Sequence, residues 1–142
     1  MIERDYIMRV LQEFFEAIAK VVYRDMKGRY PDTAQMQEQL NEMYRQFFRH
    51  SAEHFYETDK EMILDGLEQE ERSVQDTFAR VQMLSELLYQ DGLIKKSIPE
   101  RCMLLEKALY LLEYLDRNSR TFSWERNGKI NEIKKVLTEF EY

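Results

Sequence analysis

Residues 97–142 read SIPERCMLLEKALYLLEYLDRNSRTFSWERNGKINEIKKVLTEFEY, and this stretch decides the fold class. Ser97-Ile98-Pro99-Glu100 is a helix start: a serine cap, a proline in the first turn, and a glutamate placed to bond back to the cap amide. Met103, Leu104, Ala108, Leu111, Leu112 and Leu115 follow at steps of three and four, the apolar stripe of an amphipathic helix. Asn118-Ser119-Arg120 breaks it, and a second helix carries Ile130, Ile133, Leu137 and Phe140. Two antiparallel helices of this kind cannot bury their faces alone, so they must stack against the rest of the chain.

The N-terminal part has the same periodicity. Ile7, Val10, Leu11, Phe14, Ile18, Val21 and Val22, widened by Phe15, predict a helix over Ile2 to Lys27, with Gly28 as a left-handed stop and Pro31 barring continuation. Asp32 or Thr33 caps helix two, with Gln35 completing a capping box. Its stripe of Met36, Leu40, Met43 and Phe47, flanked by Tyr44, Phe48 and Phe55, predicts a helix to near Tyr56. Thr58-Asp59-Lys60-Glu61 reads as a further capping box that starts helix three at Asp59. A bend is expected between Gly66 and Ser73, one continuous helix being the competing reading. Val74, Phe78, Val81, Leu84, Leu87 and Leu88 define helix four, ending at Asp91-Gly92. No stretch alternates as a strand does. The prediction is a single all-α domain over 1–142 with five or six antiparallel helices, a long-helix hairpin over 1–57 followed by stacked helix pairs over 58–142.

Composition agrees. Hydrophobic content of 44% is enough to build a core, and only four glycines and two prolines favour helix over sheet. The net charge of −6 argues against nucleic acid as a partner, since counterion release needs a basic surface. Residues 1–92 are net −8 and residues 93–142 net +2, too small a surplus to mark an anionic partner. The N-terminus lacks the basic start and apolar core of a secretion signal, and no apolar run approaches membrane-spanning length. With Cys102 as the only cysteine, no disulfide framework exists, so a cytoplasmic protein without a membrane partner is expected.

Trp124 and Gly128 have the four-residue spacing of the tryptophan and glycine in a tetratricopeptide repeat's first helix, and Ala108 and Leu112 resemble the packing residues of its second. About the last 65 residues therefore resemble tetratricopeptide-repeat helices, although Asn127 and Asn131 stand where that pattern carries a leucine and a large aromatic. The whole chain is also similar to an uncharacterised family of small all-helical bacterial proteins, through Glu3-Arg4-Asp5-Tyr6-Ile7-Met8-Arg9, Leu105-Glu106-Lys107-Ala108-Leu109 and Thr121-Phe122-Ser123-Trp124-Glu125-Arg126. That resemblance implies a bacterial, cytoplasmic, helical protein and brings no activity.

One constellation could carry catalysis. His50-Ser51-Ala52-Glu53-His54 is H-x-x-E-H, which on a helix sets two histidines on one face for zinc with Glu53 as base on a bound water. Inverted zinc peptidases use this motif with a downstream glutamate, for which Glu125 or Glu132 could serve, but their domains are far larger. The residues three before His50 and His54 are Phe47 and Ser51, so the Glu-x-x-His pairs of di-iron bundles are missing. The glycines at 28, 66, 92 and 128 are isolated and build no phosphate loop. Cys102, beside Met103 and Leu104, reads as a structural thiol. Lys95, Lys96, Arg101, Arg117, Arg120, Arg126, Lys129, Lys134 and Lys135 are interleaved with acids at helical spacing, which reads as a solvated face, a groove for an acidic peptide being the alternative. No cofactor is expected.

The aromatic excess suits a partner best. Met43, Tyr44, Phe47, Phe48, Phe55 and Tyr56 cover more of helix two than one core-facing stripe needs. They read either as a helix buried on two sides or as a surface for a partner helix or second copy. The expected function is a non-enzymatic protein-binding or adaptor module. The alternatives are a self-associating structural protein, as in a homodimer, and a metal-dependent hydrolase using His50, Glu53 and His54.

Overall fold

A computed structural model describes residues 2–23, 32–71 and 73–140, and among them every regular element is helical. Seven helices follow in order: α1 (Ile2–Tyr23), α2 (Thr33–Phe48), α3 (Ala52–Glu57), α4 (Lys60–Glu70), α5 (Val74–Ile94), α6 (Ile98–Asn118) and α7 (Trp124–Glu139). The expected stop at Gly28 and Pro31 lies outside the described residues.

Short polar caps start most of these helices. Asp32, Ser51, Ser73, Ser97 and Ser123 each sit in extended backbone and accept from the amide three residues on: Gln35, His54, Asp76, Glu100 and Arg126. Each such cap satisfies one of the orphan amides of a first turn and stabilises by about 1 kcal/mol. The capping box expected at Thr58 to Glu61 is not built that way. Asp59 takes the N-cap backbone without a side-chain bond, and the Thr58 hydroxyl turns back to donate to the His54 carbonyl at 2.5 Å, closing α3 instead.

Among the described residues seven helices stand where five or six were expected, because helix two is cut. Arg49 takes a left-handed conformation (φ 59°), its amide donating to the Arg45 carbonyl at 3.0 Å, and Ser51 caps a fresh helix. Helix four also overruns its expected end at Asp91-Gly92 and continues to Ile94. Gly92 serves close packing there: a Cβ on it would lie 3.0 Å from Leu105 Cδ2 on α6. The expected bend falls at Glu71 to Ser73, and α4 runs straight through Gly66.

The core is one contiguous cluster from Phe14 to Leu137. Its centre is α5, which packs on α1, α2, α4 and most extensively α6, while α6 also carries α7. Val81, Met83, Leu84, Leu87 and Leu88 on α5 and Leu104, Leu105, Leu111 and Leu115 on α6 are almost wholly buried. Truncating any one of those leucines to alanine would cost about 2–5 kcal/mol. Cys102 is fully buried in this cluster, and burial raises its thiol pKa, as suits a structural role.

Cations from one helix close the carbonyl ends of others. Lys107 on α6 is buried and donates to the Phe55, Tyr56 and Thr58 carbonyls at 2.8, 2.8 and 2.7 Å, using all three ammonium protons on the C-terminus of α3. Arg80 on α5 donates to the Phe47 carbonyl at 3.0 Å at the end of α2 and pairs with Glu71 at 2.9 Å. Arg101 on α6 donates to the Lys95 carbonyl at 2.9 Å just past α5. Such positions are where a helix dipole favours positive charge.

Candidate functional site

An open cleft of about 400 Å³ lies between α1, α5, α6 and α7. Phe15 and Phe78, both partly buried, and the core residues Leu112 and Leu115 give it apolar walls. Polar groups line the rest, among them Gln82, Ser119, Thr121 and Ser123. Its charged groups are paired internally. Lys129 binds Glu86 at 2.7 Å, contacts Glu125 at 3.5 Å, and sits 5.4 Å from the centre of the Tyr89 ring. Tyr89 in turn donates to Glu132 at 2.7 Å; burial first, then that hydrogen bond, raises its phenol pKa. Arg126 bridges Asp116 at 3.2 Å and the Thr121 carbonyl at 3.2 Å.

The turn between α6 and α7 forms one edge of this cleft and is held firmly. Ser119 Oγ donates to the Thr121 carbonyl at 2.9 Å and accepts from the Thr121 amide at 3.2 Å. Thr121, Ser123 and Glu125 line the cleft, and the residues between them, Phe122 and Trp124, stand out into solvent. Phe122 is 60% and Trp124 83% exposed, and their rings meet edge to face with centroids 4.9 Å apart. Two large aromatics left bare in a fixed mutual geometry beside an apolar-walled cleft are suited to contact with another surface. The Ser85 hydroxyl within the cleft donates to the Gln82 carbonyl at 2.9 Å and has no activating base among its bonds.

The residues expected to bind a partner lie elsewhere and point inward. Met43, Tyr44, Phe47, Phe48 and Phe55 are buried and Tyr56 is half-buried, so the aromatic surface of helix two is core. The cut at Arg49 is the physical reason: α3 folds back and stacks Phe55 on Tyr44 with centroids 5.5 Å apart and edge-on to Phe48 at 5.8 Å. Phe47 is covered from the other side by Phe14 of α1 at 5.2 Å.

Within that core lies a polar network that periodicity did not reveal. Asp91 of α5 is fully buried, and its Oδ2 accepts from the Tyr44 hydroxyl at 2.8 Å and the Tyr56 hydroxyl at 2.5 Å. Its Oδ1 has no hydrogen bond and is met only by the Lys95 ammonium at 3.3 Å, an ion-pair contact. Lys95 also donates to Gln37 at 2.7 Å and to the Tyr56 oxygen at 3.0 Å. Burial, reinforced by the neighbouring Asp91 carboxylate, raises both phenol pKa values well above the ordinary tyrosine range. The network ties α2, α3 and α5 together. A sequence signal for it exists: Asp91 falls three and four residues after Leu88 and Leu87, an acid on an apolar stripe that must find partners if buried.

His50-Ser51-Ala52-Glu53-His54 straddles a helix boundary rather than lying on a helix. Ser51 is the N-cap of α3, so His50 precedes it and shares no helical face with His54. The two rings instead stack, centroids 3.9 Å apart and 12° between planes. Burial, then repulsion from His50, lowers the His54 pKa. Glu132, nominated as a third ligand, is engaged by Tyr89, and Glu125 by Lys129. Among the described residues no three His, Cys, Asp or Glu side chains converge as a metal centre requires. Trp124 and Gly128, the repeat-like pair, lie on the exposed side of α7, with open space beside Gly128. Among the described residues no helix is long and apolar enough to cross a membrane. No family model, curated protein or solved structure matches this chain.

Proposed function

We propose that this protein is a non-enzymatic helical binding module, whose working surface is the α1/α5/α6/α7 cleft with the Phe122–Trp124 pair at its edge. The observation that carries the reading is the exposure of those two rings on a turn pinned by Ser119 and Arg126. Exposed large aromatics with restricted freedom make contact surface at low entropic cost, and aromatics are enriched where protein interfaces are driest. The packing of α7 on α6 and of α6 on α5 supports a helical-repeat-like binding architecture, an analogy of form that leaves the partner to be found by experiment.

The test is photo-crosslinking in the native host from a reactive side chain placed at residue 124, with the exposed Glu38 of α2 as the control position. A discrete protein adduct from 124, missing from 38, is the expected result. Equal or no adducts from the two positions would sink this reading of the surface.

A further inference from the structure

We infer that the protein molecule occupying this cleft is a second copy of the same chain, each protomer seating its Phe122–Trp124 pair in the other's cleft about a two-fold axis. The inference rests on the cleft being a protein-binding surface, and it names the occupant. Protrusion and recess share one edge: Thr121, Ser123 and Glu125 line the recess, while Phe122 and Trp124 between them form the protrusion. A patch that carries both halves of a contact side by side is what an isologous interface requires, because a two-fold rotation brings each half onto its counterpart.

Size and charge fit that occupant. A cavity of roughly 150 Å³ holds one benzene, and the cleft measures about 400 Å³, room for two aromatic rings. Phenylalanine and tryptophan bury about 150–250 Å² each when fully covered, so each protrusion at its observed exposure offers roughly 330 Å². Two protrusions offer about 660 Å² between them, so the contact is a small one, of the size of weak and transient interfaces. A chain of net charge −6 repels its copy in general, but the charged side chains that line the cleft, Glu86, Glu125, Arg126 and Lys129, sum to zero. Like copies can meet there without that penalty.

Trp124 is the single tryptophan, so its emission reports directly on the contact. Sedimentation equilibrium and fluorescence are followed on the full chain from about 1 μM to about 1 mM. The expected result is a rise from 17.4 kDa to twice that mass, with Trp124 emission shifting to shorter wavelength over the same range. Phe122→Gln, at an exposed position, should weaken association about thirtyfold while leaving the circular dichroism unchanged. Gln82→Phe, which fills the cleft and leaves the protrusion whole, should do the same.

A dimer whose Trp124 emission stays that of a solvated indole overturns the inference, as does one that survives Gln82→Phe. A monomer across the whole range also overturns it. If that monomer still gives a crosslinked adduct from residue 124 to a different protein, the binding-module reading stands and self-pairing alone fails. If it gives none, both fail.

Discussion

Tyr44 and Asp91 stand 47 residues apart in the chain and meet at 2.8 Å in the centre of the protein, a phenol donating to a carboxylate with no access to water. Removing the acceptor leaves two phenols and the Lys95 ammonium facing an empty site. Asp91→Ala should therefore destabilise by about 3–5 kcal/mol, the cost of breaking a buried pair from one side. Tyr44→Phe, which removes one bond to a charged acceptor, should cost about 1.5–3 kcal/mol. Urea denaturation measures both; values for Asp91→Ala below those for Tyr44→Phe would contradict the network.

The same phenol makes stability fall in alkali. Burial raises the Tyr44 pKa in the folded state, so above about pH 10 the unfolded chain loses this proton while the folded chain keeps it. Stability is then constant below pH 10 and declines above it by about 1.4 kcal/mol per pH unit for this one group. Lys107 has the opposite sign, since burial lowers its pKa, but it is common to both proteins in a comparison. Urea midpoints of the parent and Tyr44→Phe between pH 9 and pH 11 should show a shallower decline in the variant; parallel curves would refute the assignment.

Two glycine substitutions should move stability in opposite directions. At Gly92 a new Cβ meets the buried Leu105 side chain at 3.0 Å, so Gly92→Ala should destabilise by about 1–3 kcal/mol. Gly66 lies inside α4 with nothing within 4 Å of the added atom, so Gly66→Ala should stabilise by about 1 kcal/mol. Thermal unfolding of the two variants side by side settles the sign.

The stacked histidines can be read by NMR. His54 should titrate below the ordinary histidine range, because burial and the neighbouring His50 both disfavour its charge. His50→Ala removes the second cause and part of the first, so the His54 midpoint should rise. A midpoint that falls or stays put would mean that the stack is not formed in solution.

Arg49 offers a backbone test. Its side chain is exposed and its φ is positive, so Arg49→Gly should stabilise by about 0.5–1 kcal/mol by relieving left-handed strain. Arg49→Ala keeps the strain and should change little, as chemical denaturation would show.

The helices and their starts were legible because local chemistry writes them: Ser97 and Pro99, the stripe from Met103 to Leu115, and the break at Asn118 are where the residues predict. Arg49 was not legible, since arginine gives no local signal for a left-handed residue, and missing it turned two helices into one. The aromatic pattern depends on the same break. Phe48 and Phe55 look surplus on a single straight helix and become core once α3 folds back. The cleft was hidden for another reason. Periodicity marks Phe15 and Leu112 as apolar-facing but cannot say that their helices leave a gap between them. Trp124 belongs to a repeat-like spacing, yet its exposure depends on where α7 docks.

Lys107 imposes an order of events on the chain. With six residues α3 is far too short to persist alone, and its carbonyl end is held by an ammonium some fifty residues further on. As the protein leaves the ribosome, the carbonyl end of α3 should gain this anchor only once α6 has been made, after its contacts with α2 are already in place. The amides of α3 should accordingly be among the last to gain exchange protection during refolding, after those of α5 and α6.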